Sequence, residues 1–225
     1  MFRELLDVWR GKGMLNEMVG ELTTMLEEAE AMFESACAVL FDGKDAGGFR
    51  EDLYERDRRV NEAEWKVRKQ IVEHLSINPG PHAPACLVLM SVVKDADRVA
   101  DYSKNLFEVE AIAPGGFGRD PFVEMFLEVV AELRDAFEKT RRAFAEEDEG
   151  LAYELVAQEE KLEKKLDAMV EQLAEADLPG REAVAYTLTV RHLKRISAHL
   201  GNIASTVVMP IHMIDYFDPK WHRED

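Results

Sequence analysis

Apolar residues in this chain recur at alternating steps of three and four, in stretches long enough that only long α-helices can bury them. From Leu15 the run is Leu15, Met18, Leu22, Met25, Ala29, Met32, Ala36 and Val39. Val19, Leu26, Phe33 and Leu40 follow every seventh residue beside it and widen the stripe. That rhythm matches the helical repeat and predicts one long helix with a broad buried face, ending at Phe41-Asp42-Gly43 with a turn completed by Gly47-Gly48. A second helix is expected over 50–76, with Tyr54, Val60, Val67, Ile71 and Leu75 inward, until Asn78-Pro79-Gly80-Pro81 breaks it. A third is expected over 85–109, stopped by Ala113-Pro114-Gly115-Gly116.

The plan then repeats. Asp120 reads as a helix cap with Pro121 in the first turn, ahead of Phe122, Met125, Phe126, Val129, Val130, Leu133 and Phe137 on one face. The turn at Glu146-Glu147-Asp148-Glu149-Gly150 leads to a fifth helix over 151–177, and Leu178-Pro179-Gly180 leads to a sixth over about 181–208. Asn105-Leu106 in the third helix matches Asn202-Ile203 in the sixth, and Asp57 to Asn61 matches Glu159 to Glu163. No stretch alternates as a strand does, and no Gly-rich phosphate loop occurs. The expected fold is all-α: a tandem pair of three-helix bundles made of six long helices. The first unit spans 1–114, the second 115–210, and a tail 211–225.

Charge narrows the function. Lys and Arg total 28 against 45 Asp and Glu, a formal net charge of -17. Nucleic-acid affinity comes mostly from neutralising phosphates with basic side chains, so this balance argues against a nucleic-acid binder and against docking on an anionic leaflet. The stretches 75–93 and 196–214 lack charged residues but contain Pro, Asn or His, so neither reads as a membrane span. Met1 to Asp7 carries two acids and no apolar core, unlike a secretory leader. Cys37 and Cys86 lie in apolar helical stretches and read as small core residues in a reducing compartment. Cytoplasmic residence is expected.

The third helix holds the candidate chemistry, Lys94-Asp95-Ala96-Asp97-Arg98-Val99-Ala100-Asp101. Asp97 and Asp101 lie four apart, so both carboxylates leave one face of the helix. Like charges at that spacing repel unless compensated, either by an arginine such as Arg98 or Arg56, or by a hard multivalent cation. The second helix offers Asp57 and Asn61 at the same spacing, and antiparallel packing across the turn would bring all four side chains to one height. In the second unit Lys194 stands at the position of Asp97 and Ala198 at that of Asp101, while Glu159 and Glu163 keep their spacing. A lysine aimed at two glutamates there reads as a salt bridge replacing a cation, and His199 beside it as an ordinary polar residue. The chain has no Glu-x-x-His, His-Glu-x-x-His or Cys-x-x-Cys pattern and no nucleophile elbow. Met14, Met18, Met25 and Met32 read as core, or as an adaptable binding groove. The tail, with Tyr216, Phe217 and Trp221, is expected to cap the bundle or to meet a partner.

Two tandem three-helix units, each with this third-helix motif ahead of an Asn-aliphatic step, resemble the PhoU family of phosphate-uptake regulators from about Leu15 to Val208. The family's acid–Arg–aliphatic–small–Asp motif is matched by Asp97-Arg98-Val99-Ala100-Asp101, whereas Lys194-Arg195-Ile196-Ser197-Ala198 keeps the middle and loses both acids. The resemblance implies a cytoplasmic homodimer that restrains a phosphate transporter and modulates a membrane sensor kinase. It also implies a metal ion or cluster (Fe, Mn, Mg or Zn) at Asp57, Asn61, Asp97 and Asp101 in the first unit. A metal-carboxylate enzyme and a metal-free helical scaffold are the alternatives.

Overall fold

The computed structural model describes residues 13–77, 80 and 82–214, with side-chain burial from residue 17 onward. Six helices account for nearly all of them: α1 Gly13–Leu40, α2 Gly47–Ile77, α3 Ala83–Glu108, α4 Pro121–Glu146, α5 Glu149–Glu175 and α6 Gly180–Val208. Short 3-10 turns follow α3 at Val109–Ala111 and α6 at Ile211–Met213, and no strand occurs among the described residues. The side chains of Met14 and Leu15 and the tail residues Tyr216, Phe217 and Trp221 lie outside the described set.

Local chemistry explains the boundaries. Asp120 is extended, and its carboxylate Oδ1 accepts from Phe122 N at 2.7 Å and Val123 N at 3.0 Å, with Pro121 completing the start of α4. Asp148 does the same for α5 through Leu151 N at 3.0 Å. Gly116 joins the units where only a glycine fits. Its φ is 79°, and a Cβ there would lie 2.6 Å from the Val39 carbonyl oxygen and 2.8 Å from that of Leu40.

From Met18 to Val39 the three-four stripe in α1 is buried, with Met18, Met25 and Met32 at 1% exposure or less, so these methionines pack the core. Cys37 and Cys86 are buried too, and burial pushes both thiols up. In α2 the sequence reading needs one correction. Leu53 is the buried residue, and Tyr54 is half-exposed, its hydroxyl donating to Glu108 Oε1 at 2.7 Å. A phenol suits that edge position, with its ring packed and its oxygen served by a carboxylate.

Helices α1–α3 form one unit and α4–α6 the other, yet a single hydrophobic cluster runs through both. Phe33 of α1 meets Phe137 of α4 with ring centroids 5.4 Å apart, and the Arg134 fork holds both Glu34 oxygens at 2.7 Å. The larger junction is α3 against α6. Asp95 of α3 accepts from His199 Nδ1 at 2.7 Å and from Asn202 Nδ2 at 3.2 Å. Seven residues on, Tyr102 lies 5.7 Å from the His199 ring, stacked at 17°, and 6.1 Å from that of His192. Contacts that rise along α3 fall along α6, so the two helices run antiparallel.

Asp95 is 1% exposed and His199 7%, so this pair is desolvated. Removing the carboxylate leaves a buried imidazole without its acceptor. Asp95→Ala should therefore cost about 3–5 kcal/mol in urea unfolding, while the double change Asp95→Leu with His199→Leu recovers much of that loss. A single-variant cost near zero would show that the pair does not hold the junction.

Candidate functional site

The acidic face of the first unit lies between α2 and α3. Asp57 projects from α2 toward α3, and Asp97 and Asp101 project from α3 toward α2. The fourth expected side chain does not join them. Asn61 is exposed, and its Nδ2 donates to the Asp57 carbonyl oxygen at 2.8 Å, back along its own helix. Lys104 and Glu64 take part instead. Lys104 Nζ reaches Asp57 Oδ1 at 2.7 Å and Asp101 Oδ1 at 3.2 Å, and Arg98 holds Asp101 Oδ2 at 2.8 Å. Glu64 is near enough to act on Asp97 electrostatically. Both newcomers were legible in principle, since Glu64 stands seven residues after Asp57 and Lys104 three after Asp101, spacings that share a helix face. Arg56 turns the other way, to Asp52 and Glu28 at 2.7 Å each.

Asp97 is the strained member. At 7% exposure its carboxyl is pushed up to about 6, by burial first and then by the like charges of Glu64 and Asp101; Arg98 opposes this and Asp57 adds to it. Lys104 is half-enclosed as well. Burial pulls its ammonium down, but the hydrogen bonds and charges of Asp57 and Asp101 outweigh that and hold it above its ordinary value.

The second unit has the same architecture with other charges. Lys194 Nζ lies 3.2 Å from Glu163 Oε1 and 2.6 Å from Asp167 Oδ1, so its second partner is Asp167, one turn beyond the expected pair. Glu159 packs over Gly201, where a Cβ would come within 2.9 Å of its Cγ. Its carboxyl is pushed up to about 7, by burial first and then by Glu163, against the pull of Lys194 and with Glu160 adding to the rise. His199 is no surface residue: it is the α6 half of the buried pair with Asp95.

These donors do not fit a resident multivalent ion. The oxygens that would converge on it, Oδ1 of Asp57 and of Asp101, both point at one ammonium. Asn61 is turned away, and no group of three or more His, Cys, Asp and Glu among the described residues is arranged to hold a metal. The open groove between α1 and α2, lined by Met25, Val60 and Ala63, pairs Arg59 with Glu28 and Lys66 with Glu21.

Comparison with known proteins matches both units. The PhoU domain is recognised twice, over residues 22–109 and 126–207. PhoU from Pseudomonas aeruginosa superposes with a TM-score of 0.76 at 19% identity, covering 87% of this chain and 95% of that one. The phosphate transport system regulatory protein PhoU from Streptococcus pneumoniae gives 0.70 at 14% identity, covering 86% and 95%. At these identities the likeness is one of fold. No curated protein matches the chain by sequence.

The raised Asp97 carboxyl has a consequence for stability with a defined sign. Between about pH 4 and pH 6 the native state keeps a proton there that the unfolded chain has released, so this group's contribution falls as pH rises through that window. His192, lowered to about 4 by burial and then by Arg191 against the pull of Glu108, acts in the opposite sense. Comparing Asp97→Asn with the parent cancels the histidine. The variant should be more stable by on the order of 1–3 kcal/mol at about pH 8 and equal to the parent near pH 4, as read by urea unfolding at each pH. A pH-independent difference would mean that Asp97 does not titrate in this range.

Proposed function

The chain belongs to the PhoU family, and from that premise we propose that it is a non-enzymatic regulator of phosphate transport and phosphate signalling. In this reading it works in the cytoplasm as a homodimer, binding a phosphate transporter or a membrane sensor kinase. The observation that carries the proposal is the double PhoU domain match, one copy on each three-helix unit. A solved structure of the same fold is itself named a phosphate transport system regulatory protein. No described helix is long and apolar enough to cross a membrane, so an attachment to the transport machinery would be made through the surface.

That surface offers apolar handholds. Trp65 and Val72, seven apart on α2, are 65% and 59% exposed, and Ile77 and Leu87 flank the α2–α3 turn at 78% and 58%. Exposed side chains of this size, running from the middle of α2 to its last turn, suit protein contact better than solvent. Four of the acids, Asp57, Asp101, Glu163 and Asp167, are engaged by Lys104, Arg98 and Lys194, which leaves Asp97 and Glu159 as the carboxyls that a metal-carboxylate enzyme would have to use.

Deleting the gene should release phosphate uptake from restraint in phosphate-rich medium and switch on a starvation reporter, with both restored by the intact chain. Trp65→Glu should restore them poorly while folding normally. Unchanged uptake together with unchanged signalling in the deletion strain would overturn the proposal, as would turnover of a generic phosphoester by purified protein with Mn or Mg that Asp97→Asn abolishes.

A further inference from the structure

We infer that the acidic faces of both units carry their own cations, Lys104 in the first and Lys194 in the second, and that these ammonium groups stand in place of the multivalent metal the family resemblance implies. A hard metal ion needs several carboxylate oxygens directed at one point, with nothing cationic already there. In the first unit that point is taken. Lys104 Nζ sits 2.7 Å from Asp57 Oδ1 and 3.2 Å from Asp101 Oδ1, and Asp101 commits its remaining oxygen to Arg98 at 2.8 Å. Among the described residues, Asp97 alone of the three keeps no cation on its carboxyl. The pair is enclosed, with the Lys104 and Asp57 side chains only 20% and 15% exposed, so solvent screens it weakly. An incoming ion would meet a full positive charge within contact distance of the same oxygens.

The second unit meets the same requirement by different substitutions. Matching Asp97 with Lys194 and Asn105 with Asn202 places Gly201 opposite Lys104. The cation has therefore moved about two turns along the helix. It stands where the first unit has Asp97, and Glu159 packs over Gly201, the position that matches Lys104 in sequence. Two units that share a backbone plan thus neutralise one acidic face from two helical positions. A single lysine could be an incidental pairing. Independent placement of a lysine in each copy, with a compensating change of size beside one of them, marks neutralisation by side chain as a property of the face.

The inference concerns the acidic faces alone and holds whichever partner the chain regulates, so its test uses purified full-length protein and is separate from the uptake experiment. Apo protein is dialysed against Mn(II), and anaerobically against Fe(II), and bound metal is counted by plasma mass spectrometry. The parent chain should hold far less than one equivalent. Lys104→Met should bind Mn(II) at least about tenfold more tightly than the parent, Lys104→Arg should not, and Lys194→Asp should gain a site in the second unit. A parent chain that binds one or more equivalents as tightly as Lys104→Met would overturn the inference. So would folded Lys104→Met and Lys194→Asp variants that both bind none. Should Lys104→Met fail to fold, a parent chain that holds one or more equivalents, or a folded Lys194→Asp variant that binds none, would overturn the inference.

Discussion

The antiparallel packing of α3 on α6 constrains everything else in the molecule, because α3 is also the helix that carries the acids. Asp95 is buried against His199 and Asn202, and that contact, together with the apolar packing around it, fixes the height of α3 along α6 and its rotation about its own axis. At about 100° per residue, positions 97, 101 and 104 then lie roughly 180–240° around the helix from Asp95, on the flank that faces α2. A slip by one turn would leave a carboxylate buried without its partner, which is the kind of penalty by which a buried polar pair selects one register. The ring of Tyr102, between His192 and His199 and capped by the Arg195 guanidinium 5.5 Å from its centroid, closes the same junction one turn pair further along.

Given that rotation, each unit gathers carboxylates at the edge of an apolar core, from α2 and α3 in the first and from α5 alone in the second. Burial makes that gathering costlier, as the raised carboxyls of Asp97 and Glu159 show. Yet the chain as a whole carries a net charge of -17, so basic residues are scarce and their placement matters. Lys104 and Lys194 each bridge two acids, one in each unit, at positions unrelated by the internal repeat. The duplicated backbone was kept while the charges on its two acidic faces diverged.

The helical architecture was open to reading because its signals are local. The three-four apolar rhythm, the Asp120-Pro121 start and the Gly and Pro breaks each act within a turn or two of chain, and the observed helices begin and end within about three residues of where those signals put them. Leu53 and Tyr54 show how closely register must be kept. Leu53 continues the seven-residue spacing of Val60 and Val67 and is buried, and Tyr54, one residue on, turns to the edge where Glu108 accepts from its hydroxyl. At the acidic face the sequence put Asp57, Asp97 and Asp101 together through helical spacing. Asn61 failed to join them because its amide has a competing acceptor on its own backbone, and Lys104 joined because a four-carbon stem reaches across a helix interface.

What the sequence determined by itself was the number, length and order of the helices, their duplication, and the face each one buries, since all of these follow from spacing along the chain. What only the tertiary structure decided was which charges neutralise which. Asp95 with His199 spans 104 positions and Lys104 with Asp57 spans 47. Such pairings carry no periodic signal. They depend on helix rotation and height, which the packing of the whole core fixes and no local pattern encodes.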